Sequence, residues 1–382
     1  MDIHRLRNKF AHKQFKLGIL YRIALQNFLS LLEVAVIPLL LIGSLVLVGF
    51  VLWESKQWYA AAGQIKELSP HIQAKNEIMR TLAQVLGGAF ILTGLYFTAK
   101  NVFVSRRAQI TDRFADALEK LSDTNNMLKR LGGIHALESI ARDSPGDHWR
   151  IMEIFTDFVR INTTDNLYLE SQNKVQQERR RPRADIQQIL NAIGRRTRAY
   201  GMGESRRLDL TGANLNGADL RGANLEGVIF RETNLCGAIL LGAHLRGANF
   251  SSANLEGANF NLADLKRANF YRAHLEHAQL RNAFLNKTSF AMAHMQDASF
   301  EGTDLQGVYF PNAVLDNTSF ERAHLKECQF SGASLKGTIL KEAEVSSPTG
   351  LTKSQVKLAI VDEHTSLPEL PSGESLERAT PA

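Results

Sequence analysis

From Leu210 to Leu340 a Leu, Phe or Met stands at every fifth position without a slip of register, a run of 27 consecutive pentads. Two residues before each centre sits a small or modest side chain, mostly Ala (Ala213, Ala218, Ala223, Ala243), with Thr233, Thr288, Val228 and Cys328 among the variants. Between the two lies Asn or Asp in many repeats, as in Ala213-Asn214-Leu215 and Ala218-Asp219-Leu220. A period of five suits neither ordinary element. A helix of ~3.6 residues per turn would scatter the centres around its cylinder, and a flat strand would throw them to alternate faces. The chain therefore has to turn a corner every five residues, so that all centres face one interior. Units too short to bury an apolar face alone must stack, which predicts a solenoid.

Phenylalanine gives the number of sides. Phe230, Phe250, Phe270, Phe290, Phe310 and Phe330 recur every twenty residues, and Phe260, Phe300 and Phe320 fall on the column offset by ten. The other two columns hold only Leu and Met295. Four pentads per coil follow, and the ~4.8 Å spacing of stacked strands makes about seven coils roughly 30 Å tall. This tandem A(N/D)LxX pattern resembles the pentapeptide-repeat family. The resemblance implies an all-β, right-handed quadrilateral β-helix over residues 208–345, its handedness coming from the family and not from the spacing.

The rest of the 382-residue chain has room for one or two further modules. Its two cysteines supply no disulfide framework, Cys328 falling at an inward repeat position and Cys236 at an outward one, and this fits a reducing compartment.

Residues 1–30 carry Arg5, Arg7, Lys9, Lys13, Lys16 and Arg22 against Asp2, interleaved with apolar residues, as expected of a basic segment at a membrane surface. Residues 31–101 read as a transmembrane hairpin. Val34 to Trp53 are twenty uncharged residues, the length that crosses ~30 Å of hydrocarbon, and Thr81 to Ala99 form a second, more polar span. The apolar run starts too late and runs too long for a signal peptide. Ala83 and Gly87 form a small-xxx-small pair that would let two helices approach. Lys and Arg are denser before the first span and after the second than in the loop, which places both termini in the cytoplasm and the chain in the inner membrane.

Residues 102–164 read as a helical connector with stripes at Phe114/Leu118/Leu121, Ile134/Leu137/Ile140 and Ile151/Ile154/Phe155/Phe158. Gly132-Gly133 is expected to separate the first two helices, and Ser144-Pro145 to open the third. The stretch Arg130 to Pro145 resembles the helical module that precedes the repeats in many bacterial membrane-anchored pentapeptide-repeat proteins, and it also looks like an armadillo or HEAT-type helix pair. His135, Glu138 and Asp143 match no metal or triad spacing and read as surface charge. Residues 165–207 combine a basic linker with an amphipathic helix (Ile186, Ile189, Leu190, Ile193) expected to cover the first coil. Arg179, Arg180, Arg181 and Arg183 are candidate contacts to anionic lipid. No interleaved aromatics favour nucleic acid there.

Inward repeat positions are structural, so function has to lie on outward ones. These are mostly polar; Ile229, Ile239, Phe284, Tyr309 and Val314 are the candidate partner contacts. His274 and His294 share a column that supplies no third metal ligand, so no metal or cofactor is expected. Residues 346–368 read as a cap, with a Thr352–Gln355 capping box leading a helix that turns Val356, Ala359 and Ile360 inward. This segment resembles the ending seen after many pentapeptide-repeat solenoids, and 369–382 read as disordered. No nucleophile, base and orienting group converge, so the chain reads as a non-enzymatic, membrane-anchored scaffold for an unidentified cytoplasmic protein. One alternative is a DNA-mimicking, gyrase-binding rod like the quinolone-resistance pentapeptide proteins. Against it, residues 208–345 hold twelve Lys or Arg and fifteen Asp or Glu, too balanced to imitate phosphates. Another is the cytoplasmic stalk of an oligomeric sensor or transport assembly; oligomeric state is not legible.

Overall fold

A computed structural model describes residues 70–164, 181–197 and 206–369, together with Val46, Gly49, Phe50 and Trp53. The basic segment 1–30, nearly all of the first expected span, the linker residues 165–180 and the tail from 370 onward lie outside the described residues. The chain divides into two compact units, Met1–Gln109 and Ile110–Ala382.

Helix α1, Pro70–Leu121, runs unbroken across that division and through the expected junction at 101/102. Among the described residues it supplies the one helix long and apolar enough to cross a membrane, Met79–Leu121, and none of its apolar window is buried. Phe90, Ile91, Leu92, Leu95 and Phe103 are all exposed. At the four described positions before it, Val46, Phe50 and Trp53 are helical and exposed as well.

In the second unit, the end of α1 packs with α2 (Met127–Asp143), α3 (His148–Thr164) and α4 (Ala184–Gly194). The expected break at Gly132-Gly133 is corrected: both glycines lie inside α2, and the turn between α1 and α2 is at 122–126, closed by Asn126, whose side chain caps Lys129 N–H at 3.1 Å. Gly133 has a different purpose. A Cβ there would stand 2.7 Å from both the Ala117 carbonyl oxygen and the Leu121 nitrogen, so its bare backbone lets α2 lie directly on α1. The third helix begins later than Ser144-Pro145 suggests. Ser144 instead caps the C-terminus of α2 by donating its N–H to Ile140, and a turn leads to His148. The three stripes do face inward, with Leu121, Ile134, Leu137, Ile151 and Phe155 buried.

From residue 208 the four-sided solenoid follows the sequence period. Parallel bridges link residues twenty apart along every column, for example Asp209 to Ile229, Asn214 to Asn234, Asp219 to Ile239 and Asn224 to His244. Ladders widen to short strands only at β1 (His324–Lys326) and β2 (Glu344–Ser346). Each corner is a tight turn in which the residue two before the next centre donates to the previous centre, as Ala213 N–H does to Leu210 at 3.1 Å. The third residue of the turn needs positive φ, as type II turns do. Gly212 supplies it at +71°, and elsewhere residues such as Leu262 (+61°) and Arg267 (+60°) are held in the left-handed region.

Inside, Phe230 through Phe330 stack at centroid spacings of 4.8 to 5.5 Å. They meet the opposite ladder edge-on, Phe250 to Phe260 at 5.8 Å and Phe290 to Phe300 at 5.7 Å. Buried Thr at an Ala position costs no unpaired hydroxyl: Thr233, Thr288, Thr318 and Thr338 each donate to the carbonyl 23 residues earlier, at 2.7 to 2.9 Å. Cys328 takes the same place, its Sγ 3.0 Å from the Leu305 carbonyl.

The first coil has no coil before it, and its backbone donors are satisfied by the helices. Asn214 N–H donates to the Thr163 hydroxyl of α3 at 3.1 Å. Asp219 N–H and C=O are both met by the Gln187 amide, at 3.0 and 2.7 Å. Asn224 N–H donates to the Gly194 carbonyl at 2.8 Å. The strand edge that would otherwise template aggregation is thereby closed, and α4 does cover the first coil. At the far end the Thr352–Gln355 capping box forms, but it opens only a single turn, α5 (Lys353–Val356). The expected helix with Ile360 inward is corrected: Ile360 bridges Ile339 and is exposed, because the chain resumes the coil path to add one more edge. Gln355 Nε2 donates to the Phe330 and Ala333 carbonyls, and Thr365 Oγ1 to Leu340, at 2.9 to 3.1 Å.

Candidate functional site

With the interior filled, the surface available for recognition is the outward lattice. Charge on it is compensated locally. Arg322 pairs with Glu342 at 2.9 Å and lies near Glu301 and Glu321, Arg281 pairs with Glu301 at 3.2 Å, and Arg246 pairs with Asp264 at 2.8 Å. The hydrogen bond from Arg221 holds the Asp219 carboxyl below the ordinary carboxylate range, and that from Arg322 does the same for Glu342.

The five apolar residues singled out from the sequence are not brought together. Ile229 and Tyr309 share one column but stand four coils apart; Val314, Ile239 and Phe284 each occupy a different column. Phe284 is half exposed beneath the Lys266 ammonium, 5.0 Å from its ring centroid. Ile229, Ile239 and Val314 are only half-buried. Tyr309 and Val314 flank one corner of a single coil, Pro311-Asn312. Below it, Met292 N–H donates to the Pro311 carbonyl at 2.9 Å, and Arg272 N–H to Ala291 at 3.0 Å, so the corners at 271–272, 291–292 and 311–312 stack. Tyr271, Met292 and Tyr309 are exposed along this ridge. Tyr271 and Met292 stand at outward positions after a centre, and neither is among the apolar residues singled out from the sequence. The signal that finds them is the combination of corner position and twenty-residue stacking.

Beside this ridge His274 and His294 are bridged partners with rings stacked at 5.0 Å. The structure adds what their column lacks: Glu276, two residues along, brings Oε1 to 3.3 Å from His274 Nδ1. His135, Glu138 and Asp143 do not converge on a site. Glu138 receives Arg195 at 2.9 and 3.0 Å and lies within 4.0 Å of His135.

Of the four candidate lipid-contacting arginines, Arg179 and Arg180 lie outside the described residues and Arg181 is exposed. Arg183 is bound to Asp185, Nη2 to Oδ2 at 2.6 Å, and Arg130 Nε reaches the same carboxylate at 2.8 Å. Asp185 is fully buried. Burial opposes its ionisation, but hydrogen bonds from Arg183, Arg130 and the Ile186 N–H outweigh that penalty and hold its carboxyl below the usual range.

A family profile described as pentapeptide repeats matches residues 206–227, 229–267, 268–307 and 303–341. A search of curated proteins gives no match. Among solved structures, a pentapeptide repeat protein from the Arabidopsis thaliana thylakoid lumen is 32% identical over 24% of this chain, which spans 63% of that protein, with a TM-score of 0.23. HetL from Nostoc sp. strain PCC 7120, involved in heterocyst differentiation regulation, is 23% identical over 44% of this chain and 90% of its own, with a TM-score of 0.27. QnrB1, a plasmid-mediated fluoroquinolone resistance protein, is 18% identical over 41% of this chain and 91% of its own, with a TM-score of 0.23.

Proposed function

We propose that the chain, whose residues 206–341 match the pentapeptide-repeat profile, is a membrane-anchored, non-enzymatic scaffold whose rigid solenoid presents its outward lattice to a protein partner at the cytoplasmic face. The observation that carries this reading is the filled interior: every described pentad centre is buried, so the repeats offer no cavity for a substrate. The stacked corner with Tyr271, Met292, Tyr309 and Val314 is the contact surface, since exposed aromatic and Met side chains on an otherwise polar lattice suit a protein interface.

The anchor is the hairpin of spans near 34–53 and 81–99, with both termini in the cytoplasm. The exposed apolar window of α1 supports it. So do Thr93 and Thr98, whose hydroxyls donate to the Ala89 and Gly94 carbonyls at 2.8 Å, so that both hydroxyl donors are satisfied within the helix. Arg181, which is exposed, and its linker neighbours Arg179 and Arg180 are the proposed contacts to anionic headgroups. Alkaline carbonate washing should leave the full chain in the membrane pellet; release into the supernatant would refute the anchor.

The interface is tested by a photo-crosslinking residue placed at Met292 and, as control, at Leu262, an exposed apolar residue on the diagonally opposite corner. A partner adduct from 292 and not 262 is expected. Equal adducts from both, or none from 292, would remove the corner from the reading. Inhibition of gyrase supercoiling by the purified chain would favour the DNA-mimic alternative instead.

A further inference from the structure

We propose that His274, His294 and Glu276 form a binding site for a borderline divalent cation of the Zn²⁺, Co²⁺ and Ni²⁺ type, clasping two adjacent coils of the solenoid. One ligand atom from each lies within 4.8 Å of the others. In a tetrahedral site with metal–ligand distances near 2.1 Å, neighbouring ligand atoms stand roughly 3.4 Å apart. The widest pair therefore has to close by about 1.4 Å, within reach of χ rotation for half-exposed side chains anchored on a fixed backbone. That backbone is well defined: His274 and His294 are bridge partners, Leu275 N–H donates to the His294 carbonyl at 2.7 Å, and the rings already stack at 5.0 Å with 17° between planes.

A further oxygen occupies the equivalent position one coil on. Gln296 follows His294 as Glu276 follows His274, one coil on, and the His277 N–H donates to the Gln296 carbonyl at 3.0 Å. Gln296 Oε1 is buried and has no hydrogen-bond partner. An orphaned buried acceptor costs about 1–3 kcal/mol, and coordination to an ion, or to a water bound to it, removes that cost. Two imidazoles and one carboxylate make a nitrogen-rich set that suits Zn²⁺, Co²⁺ or Ni²⁺, whereas Ca²⁺ and Mg²⁺ want six or more oxygens. Asn occupies the same column at 214, 234 and 254, so the two histidines are not required by the repeat. The site borders the Tyr309 corner, and an ion there would stiffen the coils that form it.

The test uses the full-length chain in mild detergent, purified without a polyhistidine tag and titrated with Co²⁺ as an absorbing probe. The comparison is the double variant His274→Asn/His294→Asn, which returns the column to its own commonest residue. Wild type should show d–d absorption that saturates at one equivalent more Co²⁺ than the variant, and Zn²⁺ but not excess Mg²⁺ should abolish it. Glu276→Gln, which copies the residue one coil on, should weaken Co²⁺ binding about tenfold. Zn²⁺ should raise the melting temperature of wild type and not of the double variant. The eleven histidines of the chain make the difference between the two proteins, rather than total binding, the deciding quantity. Equal stoichiometry and affinity in wild type and variant, or no Co²⁺ absorption from wild type, overturns the site.

Discussion

At the scale of single residues, Asp185 ties the helices to one another. It is buried, receives Arg130 from α2 and Arg183 from the start of its own helix, and leaves the guanidinium of Arg130 free to donate also to the Asp123 and Thr124 carbonyls at 2.8 and 3.0 Å. Asp185→Asn leaves buried positive charge uncompensated, so it should cost about 3 kcal/mol or more, read as a lower denaturant midpoint, whereas an apolar replacement of both Asp185 and Arg130 should cost much less. The pH dependence has a definite sign. The folded-state carboxyl is held below its unfolded value, so its contribution is present above the unfolded value near ~3.9 and disappears as pH falls through the folded one. Wild type should lose more stability than Asp185→Asn on acidification below about pH 4. Cys328 gives a second residue-scale expectation. Burial pushes its thiol up to about 12, so at neutral pH iodoacetamide should leave Cys328 unmodified in the folded protein and label it after unfolding. Labelling at the native state would show that the coil around 305–328 opens readily.

At the scale of elements, the period of five was enough to place every solenoid centre, because stacking by twenty leaves each column one possible face. The helices were less legible. Gly132-Gly133 looks like a break in sequence and is an interior close-packing site in α2, since what fixes it is the backbone of α1 passing 2.7 Å from a would-be Cβ. Gly133→Ala should therefore cost roughly 1–3 kcal/mol even though Ala is the better helix former, and a stabilised variant would contradict that contact. Leu262 shows the opposite case. It sits at φ +61° with its side chain exposed, gaining little packing while bearing left-handed backbone strain of about 1–2 kcal/mol, so Leu262→Gly should raise the melting temperature. The interaction corner was half legible for a related reason: Tyr309 and Val314 stand out as apolar residues before a centre, but Met292 and Tyr271 acquire meaning only when corners are stacked. Glu276 joins the histidine pair by reaching back from a corner, which no column-by-column reading of the sequence can show.

At the scale of the whole molecule, a solenoid is close to one-dimensional, each coil contacting its neighbours, so stability rests on the coils and on how the two ends are finished. The end finished by α3 and α4 is the more revealing, because each of its three closures uses different chemistry: a hydroxyl from Thr163, an amide from Gln187 and a main-chain carbonyl from Gly194. Gln187 is the closest imitation of a missing coil, accepting from Asp219 N–H and donating to its carbonyl as a neighbouring strand would. Gln187→Leu keeps the volume and removes both bonds. Leaving that N–H and C=O half-buried and unpaired should cost about 1–3 kcal/mol and, more tellingly, reopen one side of the edge for pairing with the same edge of a second molecule. Light scattering of the purified full-length chain should then show concentration-dependent association in Gln187→Leu that is absent from Gln187→Glu, whose carboxylate still accepts from Asp219 N–H and whose charge repels a second copy. Identical scattering from the two variants would mean that α4 closes the solenoid by steric cover alone.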